Sequence, residues 1–261
     1  MLPSIQIAAI TIPKRAGDGC IAFILTFAIF ALPLSASEAP RNLAKLAAER
    51  EAVNEAARSH YMYKQTVTIE EMDKRNALAG TYREIREVVF SPEGERTDQM
   101  VGKPSRNLKR LILTEEDFRD LREIQPFLFT PDRVWLYETR FRGEETMDEV
   151  DCWLLEVKPR QILQGQRLFE GMFWISKQDY SIIRSEGRAV PQIFSTKQEN
   201  LFPYFTTIRR QVDGKHWFPV YTYSDDTLPF RTGPLRLKMK VEYTQYKRFG
   251  AESTITFETP E

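Results

Sequence analysis

The chain has 261 residues in which 37 Lys and Arg balance 37 Asp and Glu, so no single-sign field marks a polyanionic partner and nucleic acid is not expected as a ligand. Hydrophobic residues at 42%, charged residues at 28%, 12 Gly and 15 Pro exclude a disordered, low-complexity or fibrous chain. A chain of this length buries roughly 70% of the surface it exposes when unfolded, enough for a sizeable core or a lined cavity.

The first forty residues differ from the rest. Lys14 and Arg15 precede an uncharged run from Cys20 to Leu34, and Ser35-Ala36-Ser37 offers small residues before Glu38. This order of charged, apolar and small residues predicts a secretory signal peptide over 1–37, cleaved near Ser37, and a periplasmic location. The run is shorter than the roughly 20 residues that span a bilayer, which weighs against a retained anchor. Cys20 opens the apolar run, whereas a lipid-modified cysteine would follow it, so a lipoprotein is not expected. Residues 38–261 then form one domain whose sole cysteine, Cys152, leaves no intramolecular disulfide. Cys152-Trp-Leu-Leu-Glu-Val157 reads as a strand, in which the thiol is a small hydrophobe.

Arg41 to His60 is rich in Ala, Leu, Glu and Arg, with Leu43, Leu46, Ala47, Val53 and Ala57 near one stripe at helical spacing. An amphipathic helix that covers the core, or a movable lid, is expected. Period two begins beyond Tyr61. Tyr63–Glu70 and Thr81–Phe90 interleave β-branched and aromatic residues with polar ones around the turn-like Asp73-Lys-Arg-Asn-Ala77, which predicts a hairpin. Further strands are expected at Arg96–Val101, Arg133–Phe141, Asp151–Lys158, Leu168–Ser176, Ser181–Arg188, Tyr204–Val212, His216–Tyr223, Leu235–Tyr246 and Ser253–Glu258. No helices alternate with them, so an antiparallel sheet is favoured over a parallel α/β one.

One excursion interrupts the strands. Thr114 can accept from the backbone N–H of Asp117 while the Asp117 carboxylate reaches back, a variant of the capping box, with Phe118 and Leu121 following on one face. Pro126 ends the helix near Ile124-Gln125, and Phe127-Leu-Phe-Thr-Pro131 continues it as an apolar tail. The segment 114–131 is thus a candidate plug. In Leu235-Arg-Leu-Lys-Met-Lys-Val-Glu-Tyr243 the odd-numbered residues share one apolar face and the even-numbered ones a polar face. Trp135, Tyr137 and Phe141, then Phe169, Phe173 and Ile175, then Trp217, Tyr221 and Tyr223, read as further rows on dry faces. The expected fold is mainly β (α+β): a curled antiparallel sheet or half-open β-barrel of about 10–11 strands, covered by an N-terminal helix and a short plug helix.

Chemical motifs are scarce. The sequence has no Gly-rich phosphate loop, nucleophile elbow, His-Glu-x-x-His or paired-cysteine zinc spacing, and His60 and His216 are its only histidines. Asp225-Asp226 suits a polar turn, and Glu115, Glu116 and Asp117 suit the first turn of a helix. No cofactor, no metal and no enzymatic activity are expected.

The hairpin Arg167–Gly187, with Phe173-Trp174-Ile175 before a polar turn and a second strand leading to Gly187, resembles the outer-membrane lipoprotein-sorting proteins, the LolA-like carriers. Ser176 stands where that family usually has Asp, with Asp179 three positions on. Ile124-Gln-Pro-Phe127, Glu199-Asn-Leu-Phe-Pro203, Asp225-Asp-Thr-Leu228 and Tyr246-Lys-Arg-Phe249 resemble an uncharacterised bacterial branch of such proteins. The resemblance implies a half-open barrel whose apolar interior shelters lipoprotein or lipid acyl chains, with envelope membrane proteins as further partners. Its alternative is a periplasmic interaction or envelope-sensing module with a filled core. Strand alternation nominates Phe118, Leu121, Phe127, Phe129, Trp135, Tyr137, Phe173, Tyr221, Leu237 and Met239 as ligand-wall residues, each of which serves as plain core under the same pattern.

Overall fold

Period-two segments pair with their sequence neighbours when short turns allow it, and the fold of this chain follows almost entirely from that rule. The structure, a computed structural model, describes residues 38–91, 95–123, 129–163, 166–194 and 199–249. A helix, α1 (Leu43–Arg58), precedes β1 (Tyr61–Met72), β2 (Leu78–Phe90), β3 (Arg96–Met100) and β4 (Ser105–Arg106). The plug helix α2 (Glu115–Glu123) follows, then β5 (Tyr137–Met147), β6 (Val150–Pro159), β7 (Leu168–Ser176) and β8 (Ile182–Val190). A small hairpin of β9 (Ile193–Phe194) and β10 (Glu199–Asn200) leads to β11 (Phe205–Gln211), β12 (Trp217–Leu228) and β13 (Leu235–Arg248).

Eleven strands form one curled, unclosed antiparallel sheet in the order β3-β2-β1-β13-β12-β11-β8-β7-β6-β5, with β4 also on β2. The first long strand pairs with the last, Val67 opposite Val241 and Ile69 opposite Met239. The two edges, β3 and β5, are therefore the two ends of the one long connection between strands. The connection starts at one edge and ends at the other, and its described part carries Leu111 and Leu121 over the inner face of the sheet, against Ile69, Leu237 and Met239.

Local chemistry sets the turns. Asp73 Oδ1 accepts from the backbone N–H groups of Arg75 at 2.7 Å and Ala77 at 2.9 Å, and Asn76 takes the left-handed conformation that an Asn tolerates, closing the predicted β1–β2 hairpin. The expected capping box is formed: the Asp117 carboxylate accepts from the Thr114 N–H at 2.6 Å, and the Thr114 hydroxyl accepts from the Asp117 N–H at 3.3 Å.

The inner face is covered by the two helices. Along β13, Leu235, Leu237, Met239, Val241 and Tyr243 are all buried, as their alternation predicts. Toward β6–β8 and β11 the core is aromatic, with Phe169 stacked on Phe173 at 5.2 Å and tilted on Phe205 at 5.9 Å. The Phe169 ring lies over Gly171 and Gly187, which face each other across β7 and β8. A Cβ on either glycine would meet that ring at 2.7 or 2.6 Å, so glycine is required for the ring to lie flat on the sheet. Toward β1–β3 the same face also buries polar groups. Tyr82 donates to buried Glu84 at 2.7 Å, as does Arg86 at 2.9 Å, and Arg96 binds both Asp98 and Gln65.

Several expectations are corrected. The inward stripe of α1 is not Leu46 and Val53, the latter 46% exposed, but Leu43, Ala47, Ala48, Glu51, Asn54 and Arg58. Polar residues replace aliphatic ones there because their partners lie on the sheet and its turns. Residues 133–136 are not strand: the N–H groups of Arg133 and Val134 donate to Thr130 O, forming a helical turn before β5. Asp225-Asp226 is not a turn but lies within β12, where Asp225 faces Lys238 across the pair and binds Arg236 at 2.7 Å. The signal segment 1–37 and the expected strand Ser253–Glu258 lie outside the described residues.

Candidate ligand-binding site

Three polar ties hold the strap 107–114 and α2 over the inner face of the sheet. The Glu71 carboxylate, 1% exposed at the end of β1, accepts from three successive backbone N–H groups, Lys109, Arg110 and Leu111, at 2.9–3.1 Å. Successive N–H groups converging on one anion form a nest, here filled by the protein's own side chain. Asp120 of α2 binds Arg167 at 2.7 Å with both side chains nearly out of water, and Arg167 also donates to Pro191 O. Asp117 accepts from Asn200 Nδ2 at 2.9 Å. Burial pushes the Asp120 carboxyl up to about 6 against the pull of Arg167, and burial likewise raises Asp117. At the surface, the Arg110 guanidinium donates to the carbonyls of Thr232, Gly233 and Pro234 at 2.9–3.3 Å, tying the strap 107–114 to the β12–β13 turn.

Under this strap lies an apolar cleft of about 40 Å³, walled by Ile69, Leu228, Leu237 and Met239 of the sheet, Leu111 and Leu121 of the plug, and Phe202. Three of the nominated wall residues, Leu121, Leu237 and Met239, meet there. Phe129, Tyr137 and Phe173 are brought together elsewhere, in a closed aromatic stack with centroids 5.2–5.7 Å apart. Phe118 is half-buried against Tyr82 at 5.9 Å. Phe127 lies outside the described residues.

Trp135 and Tyr221 do not join the inner face. Trp135 is 68% exposed because the helical turn at 133–136 breaks the strand alternation, and its Nε1 donates to Asp132 O. Tyr221 pairs across strands with Glu242 and so lies on the outer face, its ring 5.7 Å from Tyr223 and 5.6 Å from Lys240 Nζ. The buried neighbours of Tyr221 and Tyr223 along β12 are instead Thr222 and Ser224, with Thr222 and Thr207 sharing a hydroxyl hydrogen bond of 2.8 Å. Sequence reasoning missed Ile69, Leu111 and Leu228. Ile69 was readable from its spacing with Val67 and Tyr63, whereas Leu111 sits in a loop whose placement depends on Glu71.

Two further titratable groups, Asp213 and Cys152, are engaged by their own surroundings. Asp213 accepts from His216 Nδ1 at 2.6 Å, from Tyr61 Oη at 3.0 Å and from two backbone N–H groups; these bonds outweigh desolvation and hold its carboxyl well below the usual range. Burial pushes the Cys152 thiol up to about 12, which makes it a poor nucleophile. Among the described residues no group of three or more His, Cys, Asp and Glu could hold a metal ion, and no helix is long and apolar enough to cross a membrane.

No family model and no curated protein matches the chain. Solved structures do. A DUF1329 family protein from Desulfovibrio piger is 16% identical, with 83% of this chain and 95% of that one covered and a TM-score of 0.38. A domain assigned as an outer membrane lipoprotein-sorting protein from Vibrio parahaemolyticus is 10% identical over 78% and 93%, with a TM-score of 0.35. A LolA superfamily protein from Nitrosomonas europaea is 14% identical over 80% and 98%, with a TM-score of 0.32. Solved structures similar to this chain therefore include LolA superfamily and lipoprotein-sorting proteins, the family that the Arg167–Gly187 hairpin resembles.

Proposed function

We propose that the protein is an exported, non-catalytic carrier that shelters a lipophilic ligand, lipoprotein acyl chains or a lipid, between the sheet and the plug. The apolar cleft under the strap carries this reading, because its walls are apolar while the ties that close it are polar and sit at its rim. A polar tie exchanged for water changes the free energy by about 0.5–1.5 kcal/mol, whereas each methylene moved from water into such a cleft contributes about 0.8 kcal/mol. A chain of several methylenes therefore outweighs the few bonds lost on opening. At about 40 Å³ the cleft has room for no more than a water-sized molecule, so uptake displaces Leu111 and Leu121. The N-terminal charge and apolar pattern supports export, and envelope membrane proteins are the natural donors and acceptors of such cargo.

Native mass spectrometry of protein purified gently from a bacterial envelope, followed by organic extraction, tests this reading. A bound acyl lipid or lipoprotein supports it; a bare monomer that stays bare when offered lipids overturns it.

The closed stack of Phe129, Tyr137 and Phe173, each at most 3% exposed, favours a second reading, a periplasmic interaction or envelope-sensing module with a filled core. The outer-face Tyr204 and Tyr223, 45% and 39% exposed, would then contact a protein. A stable partner in pull-downs, lost on substituting Tyr223, distinguishes it from the carrier.

A further inference from the structure

A second cleft, of about 240 Å³, opens at the rim outside the apolar one, and Leu111 lines both. Its walls are of two kinds. Leu111, Phe230 and Leu235 continue the apolar surface outward, and Ile112 stands 75% exposed at the rim. Arg110 and Arg231 face the same space with a single carboxylate, Glu199, so the cleft carries a net positive charge. Glu199 is engaged by Arg231 through the Nε at 3.4 Å and the backbone N–H at 2.9 Å. Arg110 is oriented by the neutral carbonyls of residues 232–234, which do not cancel its charge, and among the described residues no carboxylate lies within ion-pair distance of its guanidinium. An oriented guanidinium presents donors in a planar fork suited to a phosphate or carboxylate.

Resting on the carrier reading, we propose that this outer cleft is the headgroup site of an anionic amphiphile. The anionic group sits beside Arg110 and Arg231, and the chain runs past Leu111 into the apolar cleft walled by Leu228, Leu237 and Met239. Neither half suffices for such a ligand: the inner cleft offers no polar side chain to a headgroup beyond Asp117, a carboxylate, and the outer one has only Leu111, Ile112, Phe230 and Leu235 to set against a chain. Leu111 lies between them and lines both.

Calorimetric titration of the whole mature protein with dodecyl phosphate, dodecyl maltoside and inorganic phosphate, each amphiphile below its micellar concentration, tests the site. The wild type is expected to bind dodecyl phosphate about tenfold more tightly than the maltoside, the scale of one charge-assisted hydrogen bond, and inorganic phosphate far more weakly. Arg231→Glu is expected to abolish that preference while keeping maltoside binding, which also reports that the variant folds. Arg140→Glu, an equal charge change on exposed β5, is expected to keep it. Equal affinity for the two amphiphiles, or an unchanged preference in Arg231→Glu, overturns the headgroup site and leaves the carrier reading standing. Inorganic phosphate binding as tightly as dodecyl phosphate overturns it too, since the site would then recognise a free anion. Binding of neither amphiphile overturns both the site and the carrier.

Discussion

Glu51 of α1 and Arg209 of β11 form an ion pair with both side chains out of water, Glu51 at 0% and Arg209 at 3% exposed. The flanking Ala47 and Ala48 bring the helix close enough for the two to meet, and Arg209 also donates to Ile182 O at 3.2 Å. Burial raises the Glu51 carboxyl above its ordinary range more than the guanidinium lowers it, as expected where desolvation exceeds the Coulombic gain. Arg209→Leu therefore leaves an uncompensated buried carboxylate and is expected to cost about 3–5 kcal/mol in urea denaturation. The double variant Glu51→Leu with Arg209→Leu is expected to recover most of that loss. If the double variant is as unstable as the single one, the pair does not set the position of α1.

Glycine at 171 and 187 is a packing requirement. Gly187→Ala places a methyl 2.6 Å from the Phe169 ring and closer still to the Glu170 carbonyl, backbone that cannot yield without separating β7 from β8. A loss of about 3 kcal/mol or more is expected, at the upper end for overpacking. Phe169→Ala relieves the ring contact but not the backbone one, so Gly187→Ala is expected to remain destabilising when combined with it. Thermal melts of the four proteins decide this, and full rescue by Phe169→Ala would contradict the backbone clash.

How far the fold was legible follows from where alternation is undisturbed. Leu235 to Tyr243 announced its buried face because β13 pairs without a break through that stretch, on both sides from Leu237 to Glu242. Trp135 misled because a local helical turn shifts parity, and Tyr221 because its bulk suggested burial while the register placed it opposite Glu242. The polar inward face of α1 was hidden for a different reason. Glu51 and Asn54 are inward only because Arg209, Ser181 and the Trp217 N–H await them, contacts more than a hundred residues away. The same holds for the cleft: the plug was visible from its capping box, but the strap that forms its roof is positioned by Glu71, which the alternation of β1 places inward and whose charge argues for water until the N–H groups of 109–111 are known.

The plug has a pH-dependent tie. Asp120 is raised from 3.8 to about 6, so between those values the folded protein binds more protons than the unfolded chain. The stability this group contributes is full below the unfolded value and is lost as pH rises through about 6. Asp120→Asn removes the titration while keeping the shape. Relative to the wild type, the variant is expected to gain stability between pH 4 and pH 7.5, read from urea midpoints at both. A constant difference at the two pH values would show that Asp120 does not titrate with folding.

The Glu71 nest decides whether the strap can open on its own. Glu71→Gln keeps the volume and one accepting oxygen, which can serve the Lys109 and Leu111 N–H groups, but it turns an amide N–H₂ toward the Arg110 N–H and removes the charge, weakening the nest by about 1–3 kcal/mol. The β1–β13 and β1–β2 ladders do not depend on that carboxylate, so the loss is expected to be local. Trypsin, which cleaves after Lys109 and Arg110, is expected to cut the variant faster than the wild type while the urea midpoint of the sheet moves little. If the strap gates the cleft, the association rate of an acyl probe rises by the same factor as the cleavage rate, since both report the open population. Faster cleavage without faster association would move the gate away from the strap, to α1 and its Glu51–Arg209 tie; unchanged cleavage would mean that Arg110 and the 232–234 carbonyls suffice to hold the strap shut.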